Sequence, residues 1–240
     1  MMTQMKQKFR HKNDLRENGY SPSVRDQIDG KRVYVTPAGN VYPSITSILG
    51  SQPKPGIEEW RKRVGAKEAN KIVKESSAIG TAVHDLCEKY LYNSPLKCDI
   101  PEAVEVFNRL RFKLSNINNI YGLEIPLHSD KLRVAGTSDC VAEYNGVLSV
   151  IDFKTSRRIK REEWIEDYYI QTMFYAAAFF EMTGAVPEQV VILIAVRESN
   201  EVQVFTKSIK EIDVYMEKLL TMMKRNPHLV AINASTLQKE

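Results

Sequence analysis

The sequence predicts an α/β (α+β) fold, a central mixed β-sheet flanked by helices, and three observations carry that reading. Asn145-Gly146 sits between two runs of apolar and β-branched residues, the strongest short-range signal of a two-residue type I′ hairpin. Apolar residues recur at helical spacing ahead of that hairpin (Ile72, Ile79, Val83, Leu86, Tyr90) and again behind it (Ile165, Tyr169, Thr172, Ala176, Phe179). A second pair of strand-like runs, Gln189 to Val196 and Val202 to Phe205, follows, and strands interleaved with helices in this order build a layered sheet.

Taken along the chain, Lys31 to Val35 and Val41-Tyr42 read as a short hairpin around Pro37-Ala38-Gly39-Asn40. Pro43-Ser44 then supplies an N-cap for a brief helix to Leu49, which the Pro53-Lys54-Pro55-Gly56 cluster breaks. A helix carrying Trp60 follows, then a longer one over 68–92 with His84 beside its apolar stripe and Gly80 one turn earlier. Pro101 at a first-turn position opens a helix through Leu114. Tyr121 to Leu127 reads as a strand whose single acid is Glu124, and the central hairpin covers 133–153. A helix over 162–182 is closed by Gly184 and Pro187, and Ile209 to Met223 forms a final helix. The expected organisation is a basic, partly flexible arm over 1–30, one domain over 31–230 and a tail over 231–240.

Composition narrows the class. At 240 residues the chain suffices for one well-buried domain, and it holds no run of 18 apolar residues to span a bilayer. Met1 to His11 is basic but lacks the apolar stretch of a secretory signal. Cys87, Cys98 and Cys140 are odd in number and lack metal-ligand spacing, which points to a reducing compartment and excludes a four-cysteine iron–sulfur cluster. A net charge of +4 is mild, so any nucleic-acid contact rests on local patches. One such patch is Arg157, Arg158, Lys160 and Arg161 after Thr155 and Ser156, and another is Arg61 to Arg63 with Lys67. Solvated helix starts explain such patches equally well when each is taken alone.

The hairpin brings chemistry together. Counting outward from the turn, Tyr144 faces Val147, Asp139 faces Asp152 and Thr137 faces Lys154, and strand alternation puts Asp139, Asp152 and Lys154 on one side. Two bare carboxylates about 5 Å apart repel by about 3 kcal/mol at an effective dielectric near 20, and a divalent cation reverses the sign. Oxygen ligands suit Mg²⁺ or Mn²⁺. The alternative is a solvated hairpin face with unrelated charges.

Gly136-Thr137-Ser138-Asp139, then Val150-Ile151-Asp152-Phe153-Lys154-Thr155-Ser156, then Gln171-Thr172-Met173-Phe174-Tyr175-Ala176, resembles the PD-(D/E)XK nucleases of the RecB exonuclease type. Gly80-Thr81-Ala82-Val83-His84 is similar to the family's helical His motif. Tyr42 to Leu49 with Trp60-Arg61-Lys62 resembles the opening segment of mitochondrial genome maintenance and related phage exonucleases. Ser138 stands where the family name has Pro, and Asp152 where many members have Glu.

The resemblance implies a restriction-endonuclease-like core and a Mg²⁺-dependent exonuclease acting on DNA, single-stranded or at ends, with Mn²⁺ as a substitute. Asp139, Asp152, the Phe153 carbonyl and Glu124 would hold the metal. Lys154 would position or help deprotonate the attacking water and stabilise the scissile oxygens. Gln171 and Tyr175 would position substrate, and His84 would contact metal-bound water or the nucleic-acid end. Trp60 and Tyr175 would stack on unpaired bases. For His84, Glu124, Gln171 and Trp60 an ordinary structural role stays open. Replication or recombination proteins are the expected partners, without a membrane, in the cytoplasm of a bacterial or phage-infected cell rather than a mitochondrion. The rival readings are a structure-specific or restriction-type endonuclease of the same fold and an inert nucleic-acid-binding scaffold. Hydrolysis of a small phosphorylated substrate lacks any P-loop-type cradle.

Overall fold

The computed structural model describes residues 8–12, 15 and 19–227. Three short strands open it, β1 (Val24–Ile28), β2 (Lys31–Val35) and β3 (Val41–Pro43), paired antiparallel in the order β1-β2-β3. Helices α1 (Ile45–Gly50), α2 (Pro55–Val64), α3 (Ala66–Leu91) and α4 (Pro101–Leu114) follow. The main sheet then forms from β4 (Ile117–Ser129), β5 (Val134–Tyr144) and β6 (Val147–Ser156), a crossover helix α5 (Glu166–Thr183), then β7 (Gln189–Val196) and β8 (Val202–Ser208). Helix α6 (Ile212–Arg225) is the last described helix. The sheet order is β4-β5-β6-β7-β8, antiparallel except for the parallel β6–β7 pair that α5 connects, so the expected mixed sheet between helices is what the chain forms.

Each face of the sheet buries its own core. Val141, Val150, Val190 and Ile192 point at α1, α5 and α6, while Cys140, Ile151, Val191 and Leu193 point at α3 and α4. Helix α5 is apolar nearly all round because it is sandwiched, with Tyr169, Ile170, Met173, Phe174 and Phe179 all buried. Pro101 occupies the first turn of α4 and Gly184 ends α5 in the left-handed conformation at φ 75°, as their positions in the sequence predict.

Some boundaries moved for identifiable reasons. The Asn-rich stretch before Tyr121 is already strand, because Ile117 pairs with Tyr144 and buries on the α3–α4 face. Residues 162–164 form a separate 3₁₀ turn ahead of α5. Within the region expected as an arm, Val24–Ile28 is strand, Phe9 is buried against α3 and α4, and His11 bridges to Ile120. Residues 1–7 and 231–240 lie outside the described residues.

Candidate metal and substrate site

The Asn145-Gly146 turn has φ of 54° and 80°, as a type I′ turn requires, and the register behind it runs Tyr144↔Val147 to Cys140↔Ile151. The expected Asp139–Asp152 backbone pair does not form, because the strands diverge just before it. There the Phe153 N–H, which would have continued the ladder, donates instead to Oδ2 of Asp139 at 2.7 Å. The Phe153 carbonyl points to the same open edge, since both polar groups of a strand residue face one neighbour.

On its other side Asp139 lies across from Glu124, in a ladder that holds at Leu123↔Cys140 and Ile125↔Ser138 and skips the pair between. Glu124 has φ of 46°, a left-handed conformation that a residue with a side chain rarely adopts. It resets the alternation of β4: Leu123 buries on the α3–α4 face and Ile125, two residues on, on the α5 face. Glu124, Asp139 and Asp152 thus form one transverse row of acids over three strands, at a seam where the sheet opens.

Asp139 and Lys154 line the same cleft, and each acid of the hairpin has its own partner. Asp152 is buried and gripped by Lys154, whose Nζ lies 2.5 Å from its carboxylate oxygens and 5.2 Å from the centre of the Tyr168 ring. Oδ2 of Asp152 has no aligned hydrogen-bond donor. The Oδ2 of Asp139 that accepts the Phe153 N–H also lies 3.5 Å from Nδ1 of His84 on α3, whose ring rests edge-on against Phe153. Ligand atoms of His84, Glu124 and Asp139 all lie within 4.8 Å of one another. A cleft of 390 Å³ covers the seam, walled by His84 and Gly80 from one helical layer and by Gln171 and Tyr175 from the other. Gly80 admits β6 closely, since a Cβ there would sit 3.4 Å from Oγ1 of Thr155.

The electrostatics fit a cation. Burial raises Glu124 to about 7, and the Asp139 carboxylate adds to that; its side chain reaches solvent, but the protein crowds it on its inner side. Burial likewise lifts Asp152 to about 6, against the opposing pull of Lys154. For Lys154, burial works against the charge, but the Asp152 and Asp139 carboxylates together with the hydrogen bond to Asp152 outweigh it, so the ammonium is held above the ordinary lysine value. Two carboxylates and an imidazole within reach of one ion, with one of the acids reluctant to ionise alone, form a donor set suited to a hard or borderline divalent cation.

Of the other expected residues, Gln171 and Tyr175 line the cleft, and the expected nucleic-acid-binding residues do not. Gln171 Nε2 donates to the Tyr175 hydroxyl at 3.1 Å, but the Tyr175 ring is buried beneath Gly136 and offers no face to a base. Trp60 and Arg61 sit on α2, outside the cleft lining, and Arg61 donates to Asn70. Arg157 and Arg158 are turned to Glu198 after β7, Lys160 N–H donates to Gln203, and Arg161 stacks on Trp164. Ser156 is buried, with its hydroxyl donating to the Arg158 carbonyl. Arg25, Arg32 and Tyr34, which belong to none of the motifs above, also line the cleft. Asp29-Gly30, with φ of 50° and 72° between Ile28 and Lys31, is the hairpin signal that announces them.

Residues 97–234 match the family model of the PD-(D/E)XK nuclease superfamily. Mitochondrial genome maintenance exonuclease 1 of Homo sapiens is 30% identical over 162 residues, which cover 60% of this chain and 43% of that protein. Its counterpart in Xenopus tropicalis is 30% identical over 151 residues, covering 58% and 43%. An ATP-dependent helicase/nuclease polypeptide of Clostridium beijerinckii is 30% identical over 138 residues, covering 47% of this chain and 11% of that protein. This chain spans less than half the length of the curated relatives it matches. The family match takes in more than half of the chain, including the whole β4–β6 seam with its row of acids, and the chain belongs to the PD-(D/E)XK nuclease superfamily.

Proposed function

We propose that this chain is a divalent-metal-dependent deoxyribonuclease that hydrolyses phosphodiester bonds from the free ends of single-stranded DNA. The observation that carries the reading is the convergence of His84, Glu124 and Asp139 within 4.8 Å, beside the cationic Lys154. Those three residues would hold Mg²⁺, or Mn²⁺ in its place, with Asp152 and the Phe153 carbonyl adjacent in the same seam. When bound, the ion supplies positive charge that neutralises the scissile phosphate and lowers the barrier to hydrolytic attack.

The chain's own groups do the rest. Lys154, held protonated by the acids around it, acts as a fixed donor to the non-bridging phosphoryl oxygens and positions the attacking water. Tyr168 beneath the ammonium and Asp152 beside it restrict its position. Gln171, oriented by its bond to Tyr175, presents its remaining polar atoms to the cleft. His84, braced on Phe153, fixes the α3 wall.

The exonuclease assignment is supported by the mitochondrial relatives, which are named as exonucleases. DNA replication, recombination or repair in the cytoplasm of a bacterial or phage-infected cell is the proposed setting, in line with three free cysteines; no helix among the described residues is long and apolar enough to cross a membrane. The test is incubation with end-labelled linear single strands, closed single-stranded circles and duplexes, with and without Mg²⁺ or Mn²⁺. Progressive shortening of linear strands only when an ion is added is the expected result. Equal cutting of circles overturns the exonuclease reading, and cutting in chelator overturns the metal.

A further inference from the structure

The cleft above the seam does not stop at the metal ligands. Arg25, Arg32 and Thr46 line it together with Glu124 and Asp139, and the same three residues line a second cleft of 640 Å³ that continues along the β1–β2 hairpin past Lys31. Register explains the continuity. Arg25 pairs with Tyr34 and Gln27 with Arg32, and directly paired strand residues share a face, so Arg25, Gln27, Arg32 and Tyr34 all look the same way. Tyr34 fixes which way, because its hydroxyl lies 3.0 Å from Oγ1 of Thr137 on β5, two residues from Asp139.

Arg25, Lys31 and Arg32 are exposed, and among the described residues none of them is ion-paired. Asp26 is the single acid lining the outer cleft, and its carboxylate accepts the Gln27 N–H. Arg25 is near enough to the row of acids to be among the charges acting on Glu124. This contrasts with Arg157 and Arg158, which are held by Glu198.

We infer that the β1–β2 hairpin is the substrate track of this site, with Arg25 and Arg32 gripping backbone phosphates of the nucleic-acid strand on one side of the scissile bond. Guanidinium groups suit this task because they meet phosphate oxygens with paired N–H donors. Contacts to phosphate alone read no sequence, so the track sets affinity and register and leaves base preference untouched. The inference rests on the nuclease reading above.

The test uses fluorescence anisotropy of a labelled oligo-dT strand, titrated over a series of salt concentrations with Ca²⁺ in place of Mg²⁺. The Arg25→Ala/Arg32→Ala protein is expected to bind about tenfold more weakly and to flatten the plot of log affinity against log salt by about 1.4, about 0.7 for each phosphate left without its guanidinium. Lys210→Ala/Lys224→Ala removes the same charge from the α6 side and should leave the slope unchanged. Arg25→Lys/Arg32→Lys should restore most of the slope, which a merely misfolded variant would not. A wild-type slope in the Arg25→Ala/Arg32→Ala protein, or an equal loss in the Lys210→Ala/Lys224→Ala control, overturns the track while leaving wild-type cleavage, and the nuclease reading, intact. Wild-type protein that neither binds nor cuts the strand defeats both.

Discussion

Oδ2 of Asp139 accepts the Phe153 N–H at 2.7 Å at the step where β5 and β6 separate. One side chain thereby closes the backbone account of an opened sheet and presents its carboxylate to His84 and Glu124. The seam can be open enough to admit a ligand only because a side chain has replaced a strand carbonyl.

That double duty can be separated. Asp139→Asn keeps an oxygen acceptor for Phe153 N–H and loses the charge, so its thermal midpoint without metal should stay near wild type while stabilisation by Mn²⁺ disappears. Asp139→Ala strands a buried N–H, which costs about 1 to 3 kcal/mol, and should unfold at lower denaturant. Equal stabilities for the two variants would show that the bond to Phe153 contributes nothing.

The Asp152–Lys154 pair predicts a pH-dependent penalty. Removing one partner of a buried ion pair costs about 3 kcal/mol, less here because Lys154 is one-fifth exposed. Burial already lifts Asp152 from 3.8 to about 6, so ionising it is unfavourable to the fold: its contribution is full below 3.8 and is lost as pH rises through about 6. Lys154→Ala drives that carboxyl higher still. The stability deficit of this variant relative to wild type, read by urea unfolding, should therefore be larger at pH 8 than at pH 5.5. Equal deficits at both would count against a buried charge.

The seam was only half legible in the sequence. Asn145-Gly146 fixed the register of β5 on β6, because a two-residue turn leaves the pairing no freedom, and the row Asp139–Asp152 follows by counting. The divergence of β5 from β6 was not legible, and neither was the left-handed Glu124 on β4, whose neighbours read as an ordinary strand. The β1–β2 hairpin that carries Arg25 and Arg32 was legible, because Asp29-Gly30 carries the same turn signal as Asn145-Gly146. Arg157 and Arg158 misled for a different reason. Their partner Glu198 comes from beyond α5 and β7, and a local charge run carries no trace of a distant acid.

Gly136 should be intolerant of a side chain. A Cβ there would fall 2.7 Å from Cε1 of Tyr175 and 2.9 Å from Cγ2 of Ile45, both anchored in the core. Gly136→Ala is expected to destabilise by about 1 to 3 kcal/mol through overpacking and to displace the Tyr175 hydroxyl from Gln171. Reducing the ring's bulk should recover some of the loss, so the Gly136→Ala/Tyr175→Leu double variant tests the contact directly. If the double variant is no more stable than the sum of the single effects implies, the clash is not the cause.

Glu124 predicts the pH response of metal binding. Burial and the Asp139 carboxylate raise it from 4.5 to about 7, so in the metal-free protein its ionisation disfavours the fold, and stability falls as pH climbs from 4.5 through about 7. A cation binds the ionised form, and ionisation goes from about one-tenth at pH 6 to about nine-tenths at pH 8, so Mn²⁺ affinity measured by calorimetry should rise about tenfold between those values. Glu124→Gln should remove most of that dependence and should make the metal-free protein more stable at pH 8 than wild type. The second effect is the sharper one, because deleting an ordinary exposed glutamate changes stability little at any pH. A Glu124→Gln protein less stable than wild type at pH 8 would mean that this carboxylate supports the fold rather than straining it.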